Sequence, residues 1–531
     1  MQQTTYDFGP SEFSSIVQTI KAHACYFLPE SILIGTVCLL FLVTLGVSRK
    51  NQKNLAWLAG LGILGALAAL VPVARHESTL LFQGMVAHDG FATFFKFVFL
   101  ASTLAVVVMS YLDRGLEGLP MGEYYGLVLT SVVGMFLLAS ATDFIMIFLA
   151  LEMVSIPTYI LVVFRKERRD SSEAALKYVV YGSISGAVMA YGLSLFYGLT
   201  GSTAIADLTH IAVSGADSAV LVIAGILTFA GFAYKMAAVP MHFWTPDIYQ
   251  GAPTAVTAFL SVGSKAAGFA GFVRFLVAMN MGEGLVGADT VNITLDWTTI
   301  LAIVSAVTMT LGNLGALYQT DVKRMFAYSS IAHAGYLLMG VAALTGIGTY
   351  AGLSPAGAVS YYFLAFTFMN LGAFTGVILV ANRTGNESID AYRGLGKRAP
   401  ILAVCLTICL ISLIGIPPTA GFVGKFLLIQ VAIGGQLYWL AVLAGINTAI
   451  SAYYYLRIVK NMFLETSDDP SPIEPEGLGR TAVLCLTAGV LLFGTFFGSA
   501  AAWVKGVDIH NPAAANSSES EVASGPAGAQ E

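Results

Sequence analysis

The sequence predicts an all-α polytopic membrane protein with about fourteen transmembrane helices. Three observations lead there. The 531 residues are 56% hydrophobic and only 11% charged, whereas a soluble domain carries about 25% charged residues. Uncharged runs long enough to cross a ~30 Å hydrocarbon core recur along the whole chain. Basic residues gather in alternate loops, as they do when a chain threads a membrane repeatedly. Together these exclude a sizeable soluble domain, and a net charge of −5 gives a nucleic-acid partner no footing.

The spans follow in order. The first three cover 29–47, 55–73 and 91–112, in an N-terminal segment of residues 1–121. The next five, at 122–140, 143–164, 173–198, 217–239 and 252–279, make a unit of residues 122–280. Five more, at 297–318, 322–345, 355–381, 400–433 and 437–464, make a second unit of residues 297–464. A loop and a last span, 479–503, fill residues 465–503, and the polar tail 504–531 has the composition of a disordered segment. The first apolar run is too long for the core of a secretory signal and has no small-residue cleavage site.

Loops after odd-numbered spans hold seventeen basic residues, among them Arg165, Lys166, Arg168, Arg169, Lys323, Arg324, Lys397 and Arg398; the other side holds only Lys21, Arg75 and Lys505. The positive-inside rule then places those loops in the cytoplasm and both termini outside, which needs an even number of spans.

Six basic residues remain inside spans: Lys96, Lys177, Lys235, Lys265, Arg274 and Lys425. A charge at the centre of a membrane helix costs about 2.5–3.5 kcal/mol on insertion scales and marks a functional position by default. Lys96 and Arg274 lie within about two turns of a span end, where a long stem can carry its charge to the interface, and snorkelling is the expectation for both. Lys235, Lys265 and Lys425 are deeper and are read as functional; Lys177, near the end of its span, is open on position alone. Glu152 reads as the one deep carboxylate. A buried glutamate and a buried lysine depend on each other's charge, so pairing and unpairing them can move protons.

Two spans carry helix breakers inside them. Lys235 is followed by Pro240 in the seventh, and Pro417, Pro418, Gly421 and Gly424 precede Lys425 in the twelfth. Proline removes a backbone donor, and the freed carbonyls survive in a membrane only when buried in protein or facing a wet cavity. Discontinuous helices at matched positions of two halves point to an inverted repeat around an ion path. The breaks are five spans apart, so the two helices run in opposite directions. His333, in the tenth span, reads either as a hydrogen-bonded packing residue or as a proton relay between Lys265 and Lys425. The five cysteines show no metal spacing, and Cys405 and Cys409, one turn apart, read as small core residues. No nucleotide-loop signature and no cysteine cluster for iron–sulfur ligation are present.

The stretches LEMVSIPTYIL, GFAYKMAAVPMHFWTPDIYQGAPT, FLSVGSKAAGF, DVKRMFAYSSIAHAGYLLMG and IGIPPTAGFVGKF resemble, in that order, the antiporter-like membrane subunits of respiratory complex I. Lysine rather than glutamate at 425, with the YQGAPT wording, is similar to the subunit-N branch rather than subunit M. The resemblance runs from about residue 29 to 503 and implies two inverted five-helix repeats with broken helices 7 and 12. It implies roles for six residues: Glu152 pairs with Lys235, Lys177 modulates that pair, Lys265 lies on a central water axis, His333 relays, and Lys425 is the terminal site. It further implies no cofactor and no metal in this chain. NADH, FMN, iron–sulfur clusters and quinone would belong to partner subunits of one hetero-oligomer in a bacterial inner membrane. Other readings are a subunit of a multi-subunit (Mrp-type) cation/proton antiporter, a hydrogenase- or ferredoxin-linked relative, and a structural subunit whose polar axis is vestigial.

Overall fold

The computed structural model describes residues 23–208, 218–280, 296–344, 353–467, 471–473 and 477–505, with Val507 and Ile509. The tail read as disordered, 504–531, lies almost entirely outside them. Among the described residues six long helices come first: α1 (Leu28–Gly46), α2 (Leu55–Val73), α3 (Gly90–Leu112), α4 (Met121–Ser140), α5 (Phe144–Val162) and α6 (Arg169–Thr200). The seventh span is α7 (Ser218–Met236) with a separate α8 (Trp244–Gly251). The eighth, α9 (Thr254–Phe259) and α10 (Lys265–Asn280), is joined by a π-helical turn at Leu260–Ser264. Then come α11 (Trp297–Leu317), α12 (Val322–Ala342), α13 (Pro355–Thr384), the broken pair α14 (Pro400–Ile414) and α15 (Ala420–Gly434), α16 (Tyr438–Leu464), α17 (Gly477–Thr495) and α18 (Phe497–Lys505).

Among the described residues thirteen helices are long and apolar enough to cross a membrane, and α14 and α15 are two shorter apolar pieces. Joined as one interrupted span, that pair completes fourteen. Three details differ from the sequence reading. The eighth span is not one regular helix, because a π turn leaves no mark in composition. The last span ends at Thr495, with α18 as a separate helix. Between α2 and α3 a small hairpin forms, β1 (Thr79–Leu81) against β2 (Val86–His88).

Side-chain caps fix where the helices start. Asp89 accepts from Ala92 N–H at 2.8 Å, Asp143 from Ile145 N–H at 2.8 Å, and Asp321 from Arg324 N–H at 2.8 Å, each satisfying a donor that a helix start leaves open. Two of these caps belong to a motif that occurs twice. The Phe144 N–H donates to Thr203 O and the Ile205 N–H to Thr142 O; the Val322 N–H donates to Glu387 O and the Ile389 N–H to Thr320 O. Helices α6 and α13 both end on glycine in the left-handed conformation, Gly201 at φ 71° and Gly385 at φ 65°, where a side chain would be strained. Thr200 and Thr384, just before, take the same backbone partners. The five-helix set α4–α10 thus repeats in α11–α16. The two copies of the motif lie on opposite faces, since α5 is an odd-numbered span and α12 an even one.

Snorkelling is wrong for both Lys96 and Arg274. Lys96 is 4% exposed and its ammonium lies 2.6 Å from Glu30 Oε1, on α1. Glu30, itself 1% exposed, is a second buried carboxylate inside a span that the sequence reading passed over. Arg274 donates from both terminal nitrogens to Asp89, at 2.8 and 2.9 Å, and from Nε to Ala139 O at 2.9 Å. A charge near a helix end moves to the interface only if no counter-charge waits inside; here neighbouring elements supply one each time. Removing one member of a buried pair strands the other, at a cost of about 3–5 kcal/mol. Arg274→Met is therefore expected to lower the thermal unfolding midpoint of the detergent-purified protein, and Asp89→Asn in the same chain to recover much of the loss.

Candidate functional site

The seventh span breaks just past Lys235. Ala237 has a positive φ of 59°, α7 stops at Met236, and the Trp244 indole N–H donates 3.0 Å to Tyr234 O beside the break. Lys235 is 2% exposed, and its ammonium donates to Ser155 Oγ at 3.0 Å. Ser155 is midway along α5, so the amine is at mid-depth. The Ser155 hydroxyl proton is committed to Leu151 O at 2.7 Å, which turns its lone pairs to the lysine. Glu152 sits one turn earlier on α5, and the Lys235 ammonium rests on Ser155 rather than in an ion pair with it. The Glu152 carboxylate is only partly buried and lies against Gly186 of α6, where a Cβ would come within 2.7 Å of Oε1.

Lys177 does not join this pair. It is more than a third exposed and binds Glu173 at 2.9 Å and Asp247 at 2.8 Å. Asp247 is bound at the same time by Arg324 at 2.7 Å. Any influence of Lys177 on Glu152 acts through space or through rearrangement.

Lys265 is the first residue after the π turn and is 1% exposed. It donates to Ser330 O at 2.7 Å and Ser330 Oγ at 2.5 Å, bridging α10 to α12. One turn along α12, His333 shares a 2.5 Å hydrogen bond from Nδ1 with the Tyr362 hydroxyl and a 3.3 Å one from Nε2 with the Tyr455 hydroxyl. Tyr455 in turn bonds Ser329, next to the serine that holds Lys265. Lys425, 5% exposed, donates to Leu413 O at 3.2 Å and Ile414 O at 2.9 Å, and its ammonium stands 4.4 Å from the Tyr336 ring centre. Those two carbonyls are among the four that the end of α14 leaves without helical partners.

Five of the six expected residues therefore lie buried or half-buried inside the bundle, and Lys265 and His333 share one hydroxyl cluster. Sequence reasoning missed Ser155, Ser330, Tyr362 and Tyr455, because a lone hydroxyl in an apolar helix carries no signal of its partner. Asp247 could have been found: it is the one carboxylate of the quoted seventh-span stretch.

A profile for the family described as "NADH:quinone oxidoreductase/Mrp antiporter, TM" matches residues 141–451, which takes in both breaks and all six residues. The chain belongs to this family. Its relatives include "NADH-quinone oxidoreductase subunit N" of Chlorobium chlorochromatii, 43% identical over 92% of this chain and 95% of the relative. The protein of the same name in Anaeromyxobacter is 41% identical over 93% and 98%. A chain of the Thermus thermophilus respiratory complex I with bound aureothin superposes with a TM-score of 0.74 at 30% identity, covering 90% of this chain and all of that one. A chain of the Mrp complex from Dietzia sp. also has a TM-score of 0.74, at 20% identity over 91% and 96%, which shows a shared fold. Within the family profile lie α5 to the middle of α16; helices α1–α4, α17 and α18 fall outside it.

Gly186 gives this site a direct test. In Gly186→Ala the new methyl meets the far end of a flexible side chain, so folding is little affected, while the carboxylate of Glu152 must move. Unchanged thermal stability with reduced proton transport in membranes is expected.

Proposed function

We propose that this chain is a proton-translocating membrane-arm subunit of a NADH:quinone oxidoreductase, without redox chemistry of its own. The observation that carries the reading is the set Lys235, Lys265, His333 and Lys425. Each is buried at mid-depth, and each is held by neutral oxygens rather than by a fixed counter-ion. A salt-bridged lysine such as Lys96 keeps its proton in a lock. A lysine solvated only by hydroxyls and carbonyls has a charge that depends on what its neighbours carry, and a change at one site is passed to the next.

In this scheme Glu152 is the input. Drawing its carboxylate toward Lys235 or releasing it changes the cost of the lysine charge. The proton then passes along Lys265 and His333 to Lys425 through ordered water, and Lys177 tunes the carboxylate from the Asp247 cluster. The units 122–280 and 297–464 serve as the two half-paths. NADH, FMN, iron–sulfur clusters and quinone act in partner subunits. The chain lies in the bacterial inner membrane with both termini outside; the basic loops support that orientation.

Lys235→Ala or Glu152→Ala should lower the proton-to-electron ratio of the assembled complex while NADH oxidation continues; an unchanged ratio in both would sink the proposal. Sodium- or potassium-dependent exchange by a complex that does not oxidise NADH would instead favour the Mrp-type reading, which the shared fold keeps open to test.

A further inference from the structure

The repeated loop motif frames a notch in each of the two units, and the two notches are dressed differently. On the face away from the basic loops, the first-unit notch is a cavity of about 400 Å³ beside Phe144, Ile145, Phe148, Leu193 and Thr203. On the basic face, the second-unit notch is a cavity of about 520 Å³ beside Thr254, Asp321, Asn382, Asn386 and Glu387. The paired backbone hydrogen bonds set the equivalence residue by residue: Phe144 corresponds to Val322, and Thr203 to Glu387. Ile145 then corresponds to Lys323. An isoleucine–threonine pair on one face is a lysine–glutamate pair on the other.

That ion pair leads inward. Lys323 is 1% exposed and lies 3.0 Å from Glu387 Oε2, and it also donates to Ala252 O at 2.9 Å. The other oxygen of Glu387 accepts from Thr254 Oγ1 at 3.1 Å. Thr254 is the first residue of the eighth span, the span that carries Lys265. Between them, Thr257 and Ser261 follow at i+3 and i+7 on the face of Thr254, and the π turn at Leu260–Ser264 then sets the phase at which Lys265 projects. All are buried. Thr257 Oγ1 donates to Tyr249 O at 3.0 Å, Ser261 Oγ accepts from Asn370 Nδ2 at 2.6 Å, and the Tyr249 hydroxyl is 3.4 Å from the Ser330 hydroxyl that holds Lys265. From Thr254 to Lys265 is about 16 Å along the helix.

We propose that the second-unit notch is the proton-uptake mouth of the axis: the Lys323–Glu387 pair collects protons from the basic face and the row Thr254, Thr257, Ser261 conducts them to Lys265, while the apolar first-unit notch stays shut. This rests on the translocation reading. A hydroxyl both donates and accepts, so it passes a proton by taking one on one side and releasing one on the other. On a helix, Cβ atoms three or four residues apart are about 5–6 Å from each other, a gap that one bridging water between neighbouring hydroxyls spans; in the resting arrangement Ser261 Oγ donates to Ala258 O at 2.7 Å. The other charges around the mouth are Asp113, Arg114, Arg165, Arg168 and Asp321; Arg165 is already bound to Asp113 at 2.9 Å. With isoleucine in place of Lys323 and threonine in place of Glu387, the lining of the first-unit notch carries no charged side chain, only the hydroxyls of Ser194, Tyr197 and Thr203.

The test uses the assembled complex in inside-out vesicles and reads the proton-to-electron ratio during NADH oxidation. Thr257→Val with Ser261→Ala interrupts the row, and Lys323→Ile with Glu387→Thr gives the mouth the side chains of its apolar counterpart. Lys265→Ala is the reference. Both double variants are expected to lose the same part of the ratio as the reference while the complex migrates intact on a native gel, and Thr257→Ser with Ser261→Thr to keep it. If charge removal at the mouth disturbs assembly, Glu387→Gln, which retains an acceptor for Thr254, carries the same expectation. A lowered ratio in Lys265→Ala with full ratios in the mouth and row variants would overturn the uptake path alone. Full ratios in all of them would overturn the translocation reading beneath it.

Discussion

A backbone carbonyl inside a membrane must find a donor, and so must a buried ammonium find acceptors. In the twelfth span one contact meets both demands. The break after Ile414 frees the carbonyls of Leu413 and Ile414, and Lys425 from the next helix turns back onto them. The charge faces the negative end of α14, and the interruption is closed without a proline-tolerant loop in lipid. The rest of the axis depends on this economy. A lysine bound by neutral oxygens stays soluble in the bundle and yet has no partner that would fix its charge permanently.

The two kinds of buried cation differ in that respect. Lys96 and Arg274 face carboxylates at hydrogen-bonding distance and tie α1, α3, α4 and α10 together. Lys235, Lys265 and Lys425 face Ser155, Ser330 and the α14 carbonyls. The first kind has a fixed counter-charge and the second has only neutral oxygens, although both kinds are buried. Only the identity of the facing group separates them.

The inverted repeat supplies the same backbone twice and the side chains then divide the labour. The motif at Asp143 and Thr203 recurs at Asp321 and Glu387, bond for bond. Asymmetry comes from what stands on it: Ile145 against Lys323, Thr203 against Glu387. Direction in such a device is a property of side-chain chemistry laid over a near-symmetric scaffold. The π turn before Lys265 adds a second departure from symmetry by resetting the helical phase at the residue where the two units meet.

Much of this was legible in the sequence. Span number and thread follow from hydropathy and loop charge, because the membrane penalises every polar group in the same way wherever it occurs. Glu152, Lys235, Lys265, His333 and Lys425 stood out for the same reason, and Pro240 and Pro417–Pro418 marked the breaks. What the chain could not announce was pairing. Glu30 sits at the start of a span and reads as interfacial until Lys96 is placed beside it. Lys177 looks like part of the pair until α8 brings Asp247 to it. Serine and tyrosine hydroxyls are silent in a helix sequence, since they can bond their own backbone. The sequence by itself determined that charges are buried here, for burial follows from composition and length. Only the tertiary structure decided which of those charges are locked and which are left to move, because that depends on the atoms facing them across helices far apart in the chain.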